Sequence, residues 1–151
     1  MSQKSLSNWL KIMILGVGIC GILICVLVLP AMVGDDKLRQ VKLVLLWLTG
    51  VPCYIALVFS WRIMSNIGRD QSFTRENAIL LKRISILATV DALFLFVWNI
   101  VLWVVKANDL TMLLACLFVD FLGIVVAVIF AALSHLVCKA ADLQEQSDLT
   151  I

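Results

Sequence analysis

LTMLLACLFVDFLGIVVAVIFAALSHLV, residues 110–137, decides the architecture. It carries a single charged residue, Asp120, and a single histidine, His135, near its end. A helix needs about 20 mostly apolar residues to cross the hydrocarbon core of a bilayer, and this stretch exceeds that length. Three others resemble it. Residues 12–33 and 43–61 carry no charge at all, and residues 84–105 carry Asp91 alone. The chain therefore reads as an all-α integral membrane protein, a four-helix bundle forming one membrane domain over residues 1–151. A loop at 62–83 and a tail at 138–151 are its main extramembrane segments.

Composition agrees. The chain is 63% hydrophobic and only 15% charged, whereas a soluble domain usually carries about a quarter charged residues. The lipid bilayer is thus its first partner. A net charge of +2, without a basic face, excludes direct nucleic-acid binding. The first apolar run is too long for the roughly 7–15-residue core of a signal peptide, and no A-x-A site follows it, so it is expected to be a retained helix.

Cys20, Cys25, Cys53 and Cys116 lie inside spans, and Cys138 lies at the end of the last. An odd count without C-x-x-C spacing fits small packing residues rather than a disulfide or metal framework. With one histidine in the chain, no metal site and no cofactor are expected. Gly16-Val17-Gly18-Ile19-Cys20-Gly21 satisfies the dinucleotide pattern G-x-G-x-x-G, but that pattern has meaning only between a strand and a helix. Within a span it reads as packing: Gly18, Gly21 and Cys25 share a face on which a neighbouring backbone can approach closely. Gly50 and Pro52 suggest a kink in the second span. No nucleophile–base pair or phosphate loop points to an enzyme.

Lysine and arginine near span ends set orientation. One side holds Lys4, Lys11, Arg62, Arg69, Arg75, Lys82, Arg83 and Lys139, the other Lys37, Arg39, Lys42 and Lys106. The bias places both termini in the cytoplasm. Trp9 and Trp61 then mark the inner interface, Trp47 and Trp103 the outer. So little chain lies outside that any partner is met in the bilayer or from the cytoplasm.

Within the fourth span Cys116, Asp120, Gly123, Ala127, Ala131 and Ser134 form a small, polar stripe, opposite Phe118, Leu122, Val125 and Ile129. The stripe should face the bundle and the bulky side the lipid. On the third span Ser85, Ala88, Ala92 and Asn99 form a comparable face with Asp91 on its shoulder. Measured from the inner span boundaries, Asn99 and Asp120 fall at similar depth, roughly 22 Å at 1.5 Å per residue, which suggests that the Asn99 amide donates to the Asp120 carboxyl. No lysine or arginine lies within any span to compensate the acids. They read either as a proton- or ion-sensing site or as neutral hydrogen-bonding groups between helices.

At the cytoplasmic face Thr74 is a plausible N-cap, Glu76 suits the first turn and Phe73 can staple beneath it. Beyond the fourth span, residues 139–146 can extend the helix by about two turns, with Leu136, Ala140 and Leu143 on one face.

Ser72-Phe73-Thr74-Arg75-Glu76-Asn77 followed by Leu81 and Ile84, and the ending Ala141-Asp142-Leu143-Gln144-Glu145 with Asp148-Leu149-Thr150-Ile151, resemble the bacterial family called domain of unknown function 2975. The resemblance covers nearly the whole chain and brings no catalytic residues. It implies association with a small cytoplasmic helix-turn-helix transcription regulator, held at the membrane until a signal releases it. The residues it marks for docking are Phe73, Arg75, Glu76, Asn77, Leu143, Asp148, Leu149 and Ile151. The residue pattern also leaves open a small transporter or ion-conducting homo-oligomer using Asp91, Asn99 and Asp120, and an immunity or stress-protection membrane protein.

Overall fold

The computed structural model of the chain describes residues 3–33, 37–69 and 71–149 and is helical almost throughout. In order the elements are α1 (Gln3–Leu23), a π-helical turn (Ile24–Val28), α2 (Leu29–Met32), α3 (Arg39–Ile67), α4 (Arg75–Val104) and α5 (Leu110–Leu149). Four helical segments are long and apolar enough to span a membrane: Lys4–Leu27, Arg39–Ile67, Arg75–Val104 and Leu110–Ser147. Hydrocarbon offers no partner to a bare N–H or C=O, so apolar stretches of this length satisfy their backbone internally as helix.

The helices outrun the apolar stretches that announce them. α4 begins at Arg75, ahead of the apolar run that opens at Ile84, and α5 reaches Leu149. The extension of α5 beyond Val137 is thus a little over three turns, longer than the two expected. α3 continues as helix through Gly50 and Pro52. The first span carries a π turn, which widens the helix. That turn puts the Cys25 carbonyl within reach of α3, and the Trp47 Nε1 donates to it at 3.2 Å. A hydroxyl repeats the device lower down: Tyr54 donates to the Gly18 carbonyl at 3.0 Å. Any Cβ on Gly21 would sit 3.0 Å from the Tyr54 oxygen, so a larger residue there crowds that hydrogen bond.

Neighbours along the chain are neighbours in space. α1 packs on α3, α3 on α4, and α4 on α5, the last pair making by far the most intimate contact. An apolar core of Ile63, Leu80, Leu81 and Ile84, covered by Phe59, Met64, Ile67, Phe130 and Val137, joins α3, α4 and α5 near the α3–α4 connection. The bulky side of α5 (Phe118, Leu122, Val125 and Ile129) is exposed as a lipid-facing surface should be.

The α4–α5 seam is built on a seven-residue repeat. Ala78, Ser85, Ala92 and Asn99 of α4 are buried, and so are Asp120, Ala127, Ser134 and Ala141 of α5. Ser134 Oγ donates to the Ala78 carbonyl at 2.7 Å, Ser85 Oγ to the Ala127 carbonyl at 2.8 Å, and Asn99 Nδ2 to the Leu113 carbonyl at 3.2 Å. Each step of seven along α4 is answered by a step of seven back along α5. Small side chains on such a repeat let the two backbones come close enough for a hydroxyl to reach across.

The far end of the hairpin is closed locally. Lys106 takes a left-handed conformation, φ 56°. Its N–H bonds to the Trp103 carbonyl and that of Ala107 to the Leu102 carbonyl, at 3.0 and 2.9 Å, the pattern of a Schellman stop. Asp109 then starts α5, its Oδ1 accepting from the Met112 N–H at 3.1 Å. From the first turn of α3, Lys42 Nζ donates to the Ala107 carbonyl at 2.6 Å.

Candidate functional site

The α3–α4 connection is organised around Asn77. Only 1% of this residue is exposed, and its side-chain amide is fully used. Nδ2 donates to the carbonyls of Gln71 and Ser72, at 2.8 and 3.0 Å, while Oδ1 accepts from Asn66 Nδ2 at 2.8 Å. Thr74 caps α4, its hydroxyl oxygen accepting from the Asn77 N–H at 3.3 Å. The sequence marks Asn77 for contact with a partner. Its burial instead makes it the organiser of the loop that carries the exposed residues.

A second anchor ties α1 into the same region. Ser7, 1% exposed, donates its hydroxyl to the Met64 carbonyl at 2.6 Å. Gly68 lies directly against it: an added Cβ would stand 2.8 Å from the Ser7 oxygen. Gly68 has an ordinary right-handed backbone, so space and not conformational freedom demands a glycine there.

The loop and the extension of α5 are clasped together. Arg75 reaches Asp142 at 3.0 Å and Glu145 at 3.3 Å. Glu76 pairs with Arg62 of α3 at 3.0 Å, and Lys11 of α1 lies over the Trp61 ring, 5.5 Å from its centre. The two segments singled out in the sequence as separate candidates therefore form one surface. Phe73, at 57% exposed, remains open and not folded beneath the helix start. On the α5 side Leu143 is 62% and Leu149 83% exposed. Ile151 and the side chain of Asp148 lie outside the described residues. Sequence reading missed Ser7, Asn66 and Arg62, because their partners are distant in the chain and no local pattern marks them.

The intramembrane polar residues are arranged differently from the expectation. Asn99 is not paired with Asp120. Its amide gives a proton to the Leu113 carbonyl and accepts one from Asn108 Nδ2 at 3.3 Å, two helical turns along α5 from Asp120. The tight turn after α4 fixes the register, whereas counting depth from notional span boundaries does not. Asp91 is half-buried and faces α3, where the Cys53 thiol lies 3.9 Å from its Oδ2. Asp120 is 5% exposed, and neither carboxyl oxygen has a hydrogen-bond partner. Among the described residues no group of His, Cys, Asp and Glu side chains is arranged to hold a metal ion.

Comparison with known proteins agrees with this membrane architecture. The family model for "Protein of unknown function (DUF2975)" matches residues 5–151, and the chain belongs to that family. It is 24% identical to "Uncharacterized membrane protein YoaS" of Bacillus subtilis (strain 168) over 153 residues, covering 95% of this chain and 96% of that relative. No solved structure matches.

Proposed function

We propose that this member of the family is a non-enzymatic membrane regulator that holds a small helix-turn-helix transcription regulator at the cytoplasmic face of a bacterial membrane. The observation carrying the reading is the clasp of Arg75 with Asp142 and Glu145. It gathers the α3–α4 loop and the end of α5 into one composite surface, bearing exposed Phe73 and Leu143. An apolar side chain ringed by charged groups suits a protein partner, since interface energy concentrates in a few aromatic and apolar anchors inside a polar rim. Buried Asn77 and Ser7 hold that surface to the spans, so a change within the bilayer can reach it. The excess of lysine and arginine at this end supports its cytoplasmic placement.

The test is co-purification in detergent from native cells. The tagged full chain should bring down a small DNA-binding protein, and the doubly changed Phe73→Asp, Leu143→Asp chain should not. Recovery of no such protein with the full chain would sink the reading. Truncation after Leu136 distinguishes further, since it removes the clasp along with the tail and should release the partner as well.

A second reading, a small proton- or ion-conducting transporter, draws on Asp91 of α4 and Asp120 of α5, the acids within the spans. It calls for an ion flux in liposomes that is lost in Asp120→Asn.

A further inference from the structure

The ladder across the α4–α5 seam has a missing rung. Counting by sevens, the level between Ser85 with Ala127 and Asn99 with Leu113 falls at Ala92 of α4 and Asp120 of α5. At every other level a polar side chain donates a proton to the backbone carbonyl of the facing helix. At this level the polar side chain is a carboxyl. It is buried against α4, the helix on which α5 packs, and Ala92 lies close to Gly123, one turn on: a Cβ there would meet the Ala92 Cβ at 3.6 Å.

Both Asp120 oxygens lack a partner. Asp142 Oδ1, also without a hydrogen bond, has an ion pair with Arg75. Asp120 is thus the one described acid whose buried oxygens have neither. The groups able to influence it are few. From α4 the titratable neighbour is Asp91, next to Ala92 in the chain, from α5 itself it is Cys116, one turn away, and Cys53 of α3 donates to Asp91. None is a cation. An ionised carboxylate can only accept, and the facing backbone of α4 offers carbonyls, which also only accept. Seam packing at this level, with small residues on both sides, leaves the smallest cation as the fitting occupant.

We propose that Asp120 is a proton-binding site, its protonated carboxyl donating to the backbone of α4 at the level of Ala92 and completing the seam. The ligand is the proton itself. Loss of the proton replaces a donor by an uncompensated charge facing carbonyl oxygens, with Asp91 nearby, and loosens the hairpin. α5 runs without a break from this level to the clasp at Asp142, so proton occupancy is mechanically connected to the end of the molecule where the extramembrane segments meet. The site stands independently of any docking partner.

Infrared spectroscopy of the purified full chain in lipid nanodiscs reads the proton directly. At neutral pH the wild type should show the C=O band of a protonated carboxyl in an apolar setting, retained in Asp91→Asn and lost in Asp120→Asn. Asparagine supplies an amide donor at the same place, so Asp120→Asn should fold, and its melting temperature should stay flat as the wild type's falls with rising pH. No such band in the wild type overturns the proposal. So does a band lost in Asp91→Asn, which assigns the proton to the other acid. Asp91→Asn and the wild type decide between the two acids even if Asp120→Asn does not fold. A band that persists in Asp120→Asn, or identical pH profiles for the two chains, overturns it equally.

Discussion

At the scale of single residues, the tightest constraints are close approaches and saturated amides. Asn77, 1% exposed, makes three side-chain hydrogen bonds. Its place in the motif was visible in the sequence, but its role was not, because Asn66 and the Gln71 carbonyl become its partners only once α3 and α4 lie side by side. Gly68 is similar. Nothing in its own neighbourhood distinguishes it from a turn glycine, yet it exists to leave room for the Ser7 hydroxyl. Gly68→Ala should therefore dislodge Ser7 from the Met64 carbonyl, at a cost of about 1–3 kcal/mol typical of overpacking. Thermal unfolding in micelles checks the magnitude. Alanine at Gly16 of α1 should be mild by comparison, since an added Cβ there meets nothing within 4 Å.

At the scale of elements, the α4–α5 hairpin is the rigid unit. The stripe of small and polar residues on α5 was legible from periodicity alone, and half of it, Asp120, Ala127 and Ser134, is buried, with Cys116 and Gly123 half-buried. Ala131 is exposed, since a seam built on sevens passes one side of it. The register was not legible. Five residues separate α4 from α5, and the Schellman stop at Lys106 with the Asp109 cap sets which levels face each other. Gly123 tests the seam. A Cβ there meets Ala92 at an ordinary 3.6 Å, so Gly123→Ala should be nearly neutral. Gly123→Leu should force the helices apart and cost about 1–3 kcal/mol, read as a lower unfolding midpoint. Equal effects of the two substitutions would contradict the close packing described.

At the scale of the whole molecule, α1 is the loosest member, held to α3 by Ser7, Tyr54 and Trp47, while α3, α4 and α5 converge on the apolar core beneath the loop. The clasp at that end is exposed on all three sides, and exposed ion pairs contribute only about 0–1 kcal/mol. Its effect is local order and not global stability. Arg75→Ala should leave the unfolding midpoint almost unchanged but speed amide exchange in α5 beyond Val137, and high salt should do the same to the wild type by screening. Hydrogen–deuterium exchange in nanodiscs resolves the two effects.

The sequence by itself determined the number of spans, their helical state, the cap at Thr74 and which side of α5 carries its small residues. These follow from length, hydropathy and periodicity, which are local properties of a chain in lipid. Only the tertiary structure decided that Asn99 faces Leu113 and not Asp120, that Arg75 joins the loop to α5, and that Asp120 alone on the ladder lacks a partner. Such pairings depend on a helix register fixed by a short turn. A shift of one helical turn in that register changes every partner while leaving the apolar pattern untouched.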